Sequence, residues 1–331
     1  MFTNLTNAPR LLIEQKLRPI QGDRFQPTGF ADLGAADYRR HDGKRMLLVE
    51  SAQSVANRLE KTCLDGEGPH ISKDLEGLPY VVARLSGATA AETSSLVEAH
   101  RVNSPYIISD KKFQADFSEK AEYARGKPLA WNKIALTLLH YDPNALIHGV
   151  FMANLEDGRV RVPRALTGFV EASDVMEAVS GGVKNNALDP TGTIRAADYD
   201  KNVYGNVPYQ RVEYTADCIK AYFNLDLSLV MGYGLPELAA RLLIALSLLK
   251  VRRFLSSGLR LRTACDFAPD GEIAVTAPAN FVLPSESSLL ADVQAGIGAC
   301  AGAGLFAAPP ITVIQTAVVK KEEPKIAVPQ P

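Results

Sequence analysis

The chain has 331 residues, 47% of them hydrophobic and 22% charged, with a formal net charge of −1. That is enough apolar material for one large core or two modest ones, and it excludes a nucleic-acid binder held by overall charge, so any polyanion has to be met locally. No apolar run reaches the roughly 18 residues of a bilayer span, because the most apolar helical stretch, near 235–249, is interrupted by Glu237 and Arg241. The N-terminus shows no secretory pattern. Cys63, Cys218, Cys265 and Cys300 form no CxxC pair and read as reduced, mostly packed thiols of a cytoplasmic protein.

In chain order, residues 10–20 read as a first strand ended by Pro19. Residues 21–30 are rich in glycine, proline and polar side chains and read as a loop. There Arg24, Gln26 and Thr28 can donate to phosphate or sugar, and Phe25 and Phe30 offer flat faces to a base. A surface turn anchored by buried phenylalanine explains the same residues. His41-Asp42-Gly43 makes a tight turn into 46–49, an apolar run of strand length, and a helix follows with Val55 and Leu59 four apart. Ser51 fits the N-cap, while Gln53, Ser54, Asn57 and Arg58 give the first two turns polar groups with no carboxylate before Glu60. Such a helix start suits phosphate. It also suits a capped surface helix with one solvated arginine.

After a break at 65–69, a short strand is expected over 80–85 and a helix over 92–103 that Pro105 ends. His100 has no second histidine or cysteine at ligand spacing and reads as structural. The charged stretch 110–127 has little periodicity, a helix is expected over 131–140, a strand over 146–153, and one strand or two over 164–176. Residues 180–210 are turn-rich with little to bury, which predicts a projecting loop or hairpin where Lys184 and Arg195 could touch phosphates. A β-rich run, 210–229, leads to the strongest helix, 235–257. Residues 259–265 then alternate, placing Arg260 and Arg262 on one strand face about 7 Å apart, near the spacing of successive phosphates. A salt-bridged sheet face explains that pair as well. A helix near 285–303 and a strand at 311–316 complete the fold, and the tail from Lys320 reads as disordered. Two basic concentrations stand out: residues 10–45, and residues 238–265 with six basic residues and no acidic one.

Five blocks in order, RFQPTGFADLGAADY at 24–38, RMLLVESAQSVANRLE at 45–60, EAHRVNSPYI at 98–107, VPYQRVEYTA at 207–216 and GLRLRTACD at 258–266, carry a family resemblance. From residue 10 to about 317 the chain resembles the repeated backbone subunit of type I-U (also called I-G) CRISPR effector complexes, a RAMP-superfamily protein of the Cas-seven type. The resemblance implies an α+β fold: a single domain over 1–319 with an RRM-like (ferredoxin-like) palm, a fingers-like insertion at about 64–145, a thumb-like hairpin at about 180–210, and a disordered tail at 320–331. It implies a subunit of a Cascade-like surveillance complex that multimerises head to tail along the guide crRNA, beside other effector subunits. Such a subunit holds the sugar–phosphate backbone and leaves the bases free to pair with target DNA. The RNA-contacting set is then Arg24, Gln26, Thr28, Ser51, Gln53, Ser54, Asn57, Arg58, Arg101, Lys184, Arg195, Arg260 and Arg262, with Arg58 as the cation after the Ser/Gln group. No catalytic residue, metal, cofactor or membrane partner is expected.

The competing expectation is a metal-dependent ribonuclease that cuts target RNA at regular intervals, using Asp23, Asp32 or Asp37. Such an enzyme groups its carboxylates around one or two metals, and these three aspartates show no recognisable pattern of that kind.

Overall fold

A computed structural model describes residues 5, 8–30, 32–66, 68–87, 90–193 and 205–318. Arg195 and the tail at 320–331 lie outside the described residues. The central elements are β1 (Arg10–Pro19), β2 (Arg45–Glu50), α1 (Ala52–Lys61), β3 (Leu166–Ser173), β4 (Cys218–Asp226), α2 (Glu237–Ser256), β5 (Cys265–Pro269) and α3 (Glu286–Gly302). The fold is α+β. Its main sheet runs Arg260–Arg262, β5, β1, β4, β3, β2, Asp37–Arg39, antiparallel throughout, and Ala274–Ala277 also pairs with β1.

Strict alternation builds this sheet. Ile219, Ala221, Phe223 and Leu225 of β4, Leu11, Ile13 and Leu17 of β1, and Leu166, Val170 and Ala172 of β3 are all buried on one face. Helices α1 and α2 pack there, α1 against β3 and α2 against β4 and α1, with α3 outside α2. One close approach needs glycine: a Cβ at Gly168 would lie 2.7 Å from Phe223 Cδ1 and 3.0 Å from Val55 Cγ1, while one at Gly296 would fit tightly, 3.1 Å from Leu242 Cδ1. The opposite face is polar and aromatic. Lys220 pairs with Glu14 at 2.9 Å, Phe169 stacks on Tyr222 with centroids 5.0 Å apart, and Tyr38 donates to Glu171.

A second, three-stranded sheet joins Tyr80–Gly87 to Ala91–Ser94 antiparallel and to the late strand Ile311–Val318 in parallel. Ile311–Val318 therefore completes a layer begun more than two hundred residues earlier. A separate two-stranded hairpin, Met176–Lys184 with Val207–Thr215, leaves Met176, Val179, Val183, Val207 and Tyr209 exposed.

Four local expectations are corrected. The helix expected over 92–103 is the strand Ala91–Ser94 followed by turns and the 3-10 turn Arg101–Asn103; Arg84–Glu92 pairing across strands and the Ser94 hydroxyl bond to Pro69 O outweigh the helical spacing. The strand expected over 146–153 begins as the end of the helix Pro143–His148, which Asp142 caps and Pro143 starts, with only Val150–Phe151 extended; a short apolar run alone does not distinguish the two. The unpatterned stretch at 110–127 contains the helix Lys111–Lys120, capped by Asp110 and fixed by Phe113 and Phe117 against Tyr141. Phe25 is 1% exposed and packs edge-on against Phe267 at 5.5 Å, so its face is not open to a base.

Candidate nucleic-acid interface

The β2–α1 junction forms as the sequence predicts. Ser51 Oγ accepts the Ser54 amide at 3.2 Å, and the first turn carries no acidic side chain. One residue earlier, Glu50 is completely buried, and the surrounding cations converge on it. Arg58 Nε donates to Glu50 Oε1 at 2.8 Å, the Ser54 hydroxyl donates to the same oxygen, and Arg262 pairs with the other. Arg58 also reaches the backbone carbonyls of Arg260 and Leu261, while Arg262 reaches Gln26 O at 3.1 Å and Cys265 Sγ at 3.2 Å.

The expected free cation after the Ser/Gln group is thus corrected: Arg58 and Arg262 turn inward and tie α1 to the Arg260–Arg262 strand and the 21–30 loop. Burial lowers Arg58 from its ordinary value and raises the Cys265 thiol to about 11. Arg260 shares a strand face with Arg262 but stays exposed.

The other expected residues fall into three places. Arg101 is nearly buried; its Nε and Nη2 grip Glu60 at 2.6 and 2.9 Å and its Nη1 donates to Gly149 O at 3.0 Å, so it braces α1 from outside. Gln26 and Thr28 line a 530 Å³ cleft with Gly29, Gly34 and Tyr214 at the hairpin base, where Gln26 Oε1 is buried without a hydrogen-bond partner. Arg24 lies 3.4 Å from Glu213, and Lys184 is exposed toward the hairpin's far end. Asp37 is held by Arg45 at 2.7 Å. Among the described residues, no group of three or more His, Cys, Asp or Glu is placed to hold a metal ion, and no helix is long and apolar enough to cross a membrane.

Most of the two basic concentrations is paired or buried, while Lys16 and Arg18 stay exposed. Arg10 pairs with Asp226, Arg40 with Asp42, Lys44 with Asp174, and Arg45 with Asp37 and Glu177. Arg253 pairs with Asp74 and Glu286, Arg252 bonds to the carbonyls of Leu283 and Pro284, and Lys250 is wholly buried.

A positive groove lies instead beside the start of α1. Its volume is 1110 Å³, and its lining includes Gln53, His100, Arg101, His148, Phe151, Asn154, Arg161 and Arg164 but no carboxylate. Gln53 joins it to the junction, donating to Asn57 at 3.0 Å and accepting from Arg164. Burial, and then the Arg101 charge, lower Arg164 from its ordinary value. Sequence reasoning missed Arg161 and Arg164, although Arg159-Val-Arg-Val-Pro-Arg164 is a basic run with no acidic residue from 158 to 170.

Beneath the groove floor, Lys250 Nζ contacts Asn144 Oδ1 at 2.5 Å and His148 Nε2 at 2.7 Å. Burial, then Lys250 and Arg101, hold His148 well below its ordinary value, whereas burial raises Asp142 to about 6.

No curated protein matches the chain. A chain of a "CRISPR RNA-guided surveillance complex, pre-nicking" overlaps 79% of this chain and 76% of its own at 15% identity, with a TM-score of 0.38. One of a "CRISPR RNA-guided surveillance complex" overlaps 89% of this chain and 88% of its own at 15% identity, with a TM-score of 0.29. At these scores the likeness bears no weight on the fold. The model of the family described as CRISPR-associated protein GSU0053 matches residues 11–177, a span that holds β1, the β2–α1 junction and the whole groove lining. The chain therefore belongs to the CRISPR-associated protein GSU0053 family.

Proposed function

We propose that the protein is a non-catalytic backbone subunit of a type I CRISPR surveillance complex, copies of which line up along a guide crRNA in the cytoplasm. The observation that carries this reading is the carboxylate-free groove at the acid-free start of α1. A subunit that must accept any guide sequence needs cations and polar groups for phosphate and sugar, and no base-reading pattern. Arg161, Arg164 and Gln53 supply those groups, at the helix start that Ser51 caps and Arg58 holds in place. The sheet order β5-β1-β4-β3, with α1 and α2 on one face, serves as an RRM-like palm. The hairpin serves as a thumb carrying Lys184, with Arg24 of the 21–30 loop at its base. Its exposed apolar residues suit contact with the next copy, and a heterologous contact that does not close repeats as a filament. Other effector subunits and, through the guide, target DNA are the remaining partners.

Binding of a labelled single-stranded guide RNA is measured across a salt titration. Binding should weaken linearly in log–log form, and Arg164→Ala should flatten the slope by about 1, one per phosphate contact. Failure of the unaltered protein to bind RNA at low salt overturns the reading.

A further inference from the structure

The groove contains one feature that a purely phosphate-gripping surface does not need. Phe151 and Arg161 face each other across a two-residue ladder, with the guanidinium carbon 4.3 Å from the ring centroid. Phe151 is 45% exposed, and both residues line the groove. The guanidinium covers one face of the phenyl and the residue stays partly open, so the pair offers a base an aromatic and cationic surface. Nearby, His148 is 1% exposed, and its Nε2 must accept from the Lys250 ammonium, so the ring's hydrogen sits on Nδ1. Nδ1 has no hydrogen-bond partner, which leaves an unanswered buried donor on a residue of the groove wall.

We infer that this groove holds one unstacked nucleotide of a single-stranded RNA, its base lying on the Phe151–Arg161 platform and an adjoining phosphate on Arg164. The inference rests on the proposed RNA-binding role and adds a place and a chemistry for one base. Every base has a π-face, so such a platform is sequence-tolerant, and guanidinium adds cation–π attraction. Gln53 and Asn154 offer both donors and acceptors at the margin. The volume of 1110 Å³ leaves room for a nucleotide with its flanking phosphates. If the Phe151–Arg161 pair only pins the short ladder, losing the ring affects folding and leaves RNA affinity unchanged.

The test uses the full chain, a fluorescent oligouridine and its 5-iodouridine counterpart. Phe151→Ala should weaken binding about 5- to 100-fold with an unchanged salt slope, because stacking releases no counterions. Phe151→Leu keeps apolar bulk in the ladder and should weaken binding nearly as much while its thermal unfolding matches the unaltered protein. Arg164→Ala should instead reduce the salt slope by about 1. Photocrosslinking of the iodinated RNA should mark the peptide that contains Phe151. Undiminished RNA affinity in Phe151→Leu, or crosslinking confined to other segments, overturns the platform while the RNA-binding role stands. Absence of RNA binding by the unaltered protein defeats both.

Discussion

Glu50 Oε1 accepts from Arg58 Nε at 2.8 Å in a site where Glu50 has no exposed surface. That bond joins the last residue of β2 to the second turn of α1, and Arg262 closes the node from the Arg260–Arg262 strand. A buried carboxylate holding two arginines fixes the direction of α1, whose N-terminus opens into the groove. Glu50→Gln leaves both guanidinium groups without a counter-charge and should cost about 2–4 kcal/mol, since removing one member of a buried pair strands the other. Urea unfolding measures it, and a change under about 1 kcal/mol would show that Glu50 does not hold the junction.

Gly168 sets how closely α1 approaches β3. A methyl group there meets Phe223, the Tyr222 carbonyl and Val55 at 2.7–3.0 Å, two of them on the sheet itself. Gly168→Ala should destabilise the protein by about 2 kcal/mol through overpacking. Displacement of α1 should also weaken RNA binding, so the thermal midpoint and the RNA affinity should fall together.

The buried pair beneath the groove gives stability a pH dependence with two opposite components. His148 is held well below 6.5 in the fold, so below that pH the unfolded chain binds a proton that the folded chain refuses. Its contribution is complete above 6.5 and is lost as pH falls, by up to about 1.4 kcal/mol per unit. Asp142, raised from 3.8 to about 6, acts the other way: between those values the fold binds the extra proton and gains as pH falls. Urea midpoints at pH 7.5, 6.5 and 5.5 should show a flatter acid limb in His148→Gln and a steeper one in Asp142→Asn. Parallel limbs in all three proteins would remove both assignments.

The hairpin contributes little to the core. Val179→Ser, Val183→Ser and Tyr209→Ser replace exposed apolar groups and should each shift stability by no more than about 0.5 kcal/mol. Assembly on a long guide, followed by sedimentation, should nevertheless be lost. A triple variant that still forms multimers would remove the hairpin from the contact between copies.

Much was legible in the sequence because the signals are local. The strand ended by Pro19, the alternation in 164–176 and the β-rich run at 210–229 pointed to β1, β3 and β4, although the last run is divided between the hairpin and β4; the Ser51 cap specified the start of α1; and the long apolar run specified α2. Short segments were misread where one distant partner decides, as when the helix Lys111–Lys120 rests on two phenylalanines meeting Tyr141. Charge was the least legible property. A count of lysines and arginines along the chain does not say which carboxylate each one meets, and pairing cancels across contacts such as Arg45 with Glu177 and Arg253 with Asp74.

By itself the sequence determined the main-sheet strands, the long helices and a helix start free of acid. Only the tertiary structure decided which arginines stay available: it folds Arg58 and Arg262 onto Glu50 and Arg101 onto Glu60, and leaves Arg161 and Arg164 along a groove without carboxylates. The reason is physical. Hydrophobic periodicity is read from neighbours along the chain, whereas the electrostatic fate of a side chain depends on groups that only folding brings within a few ångströms.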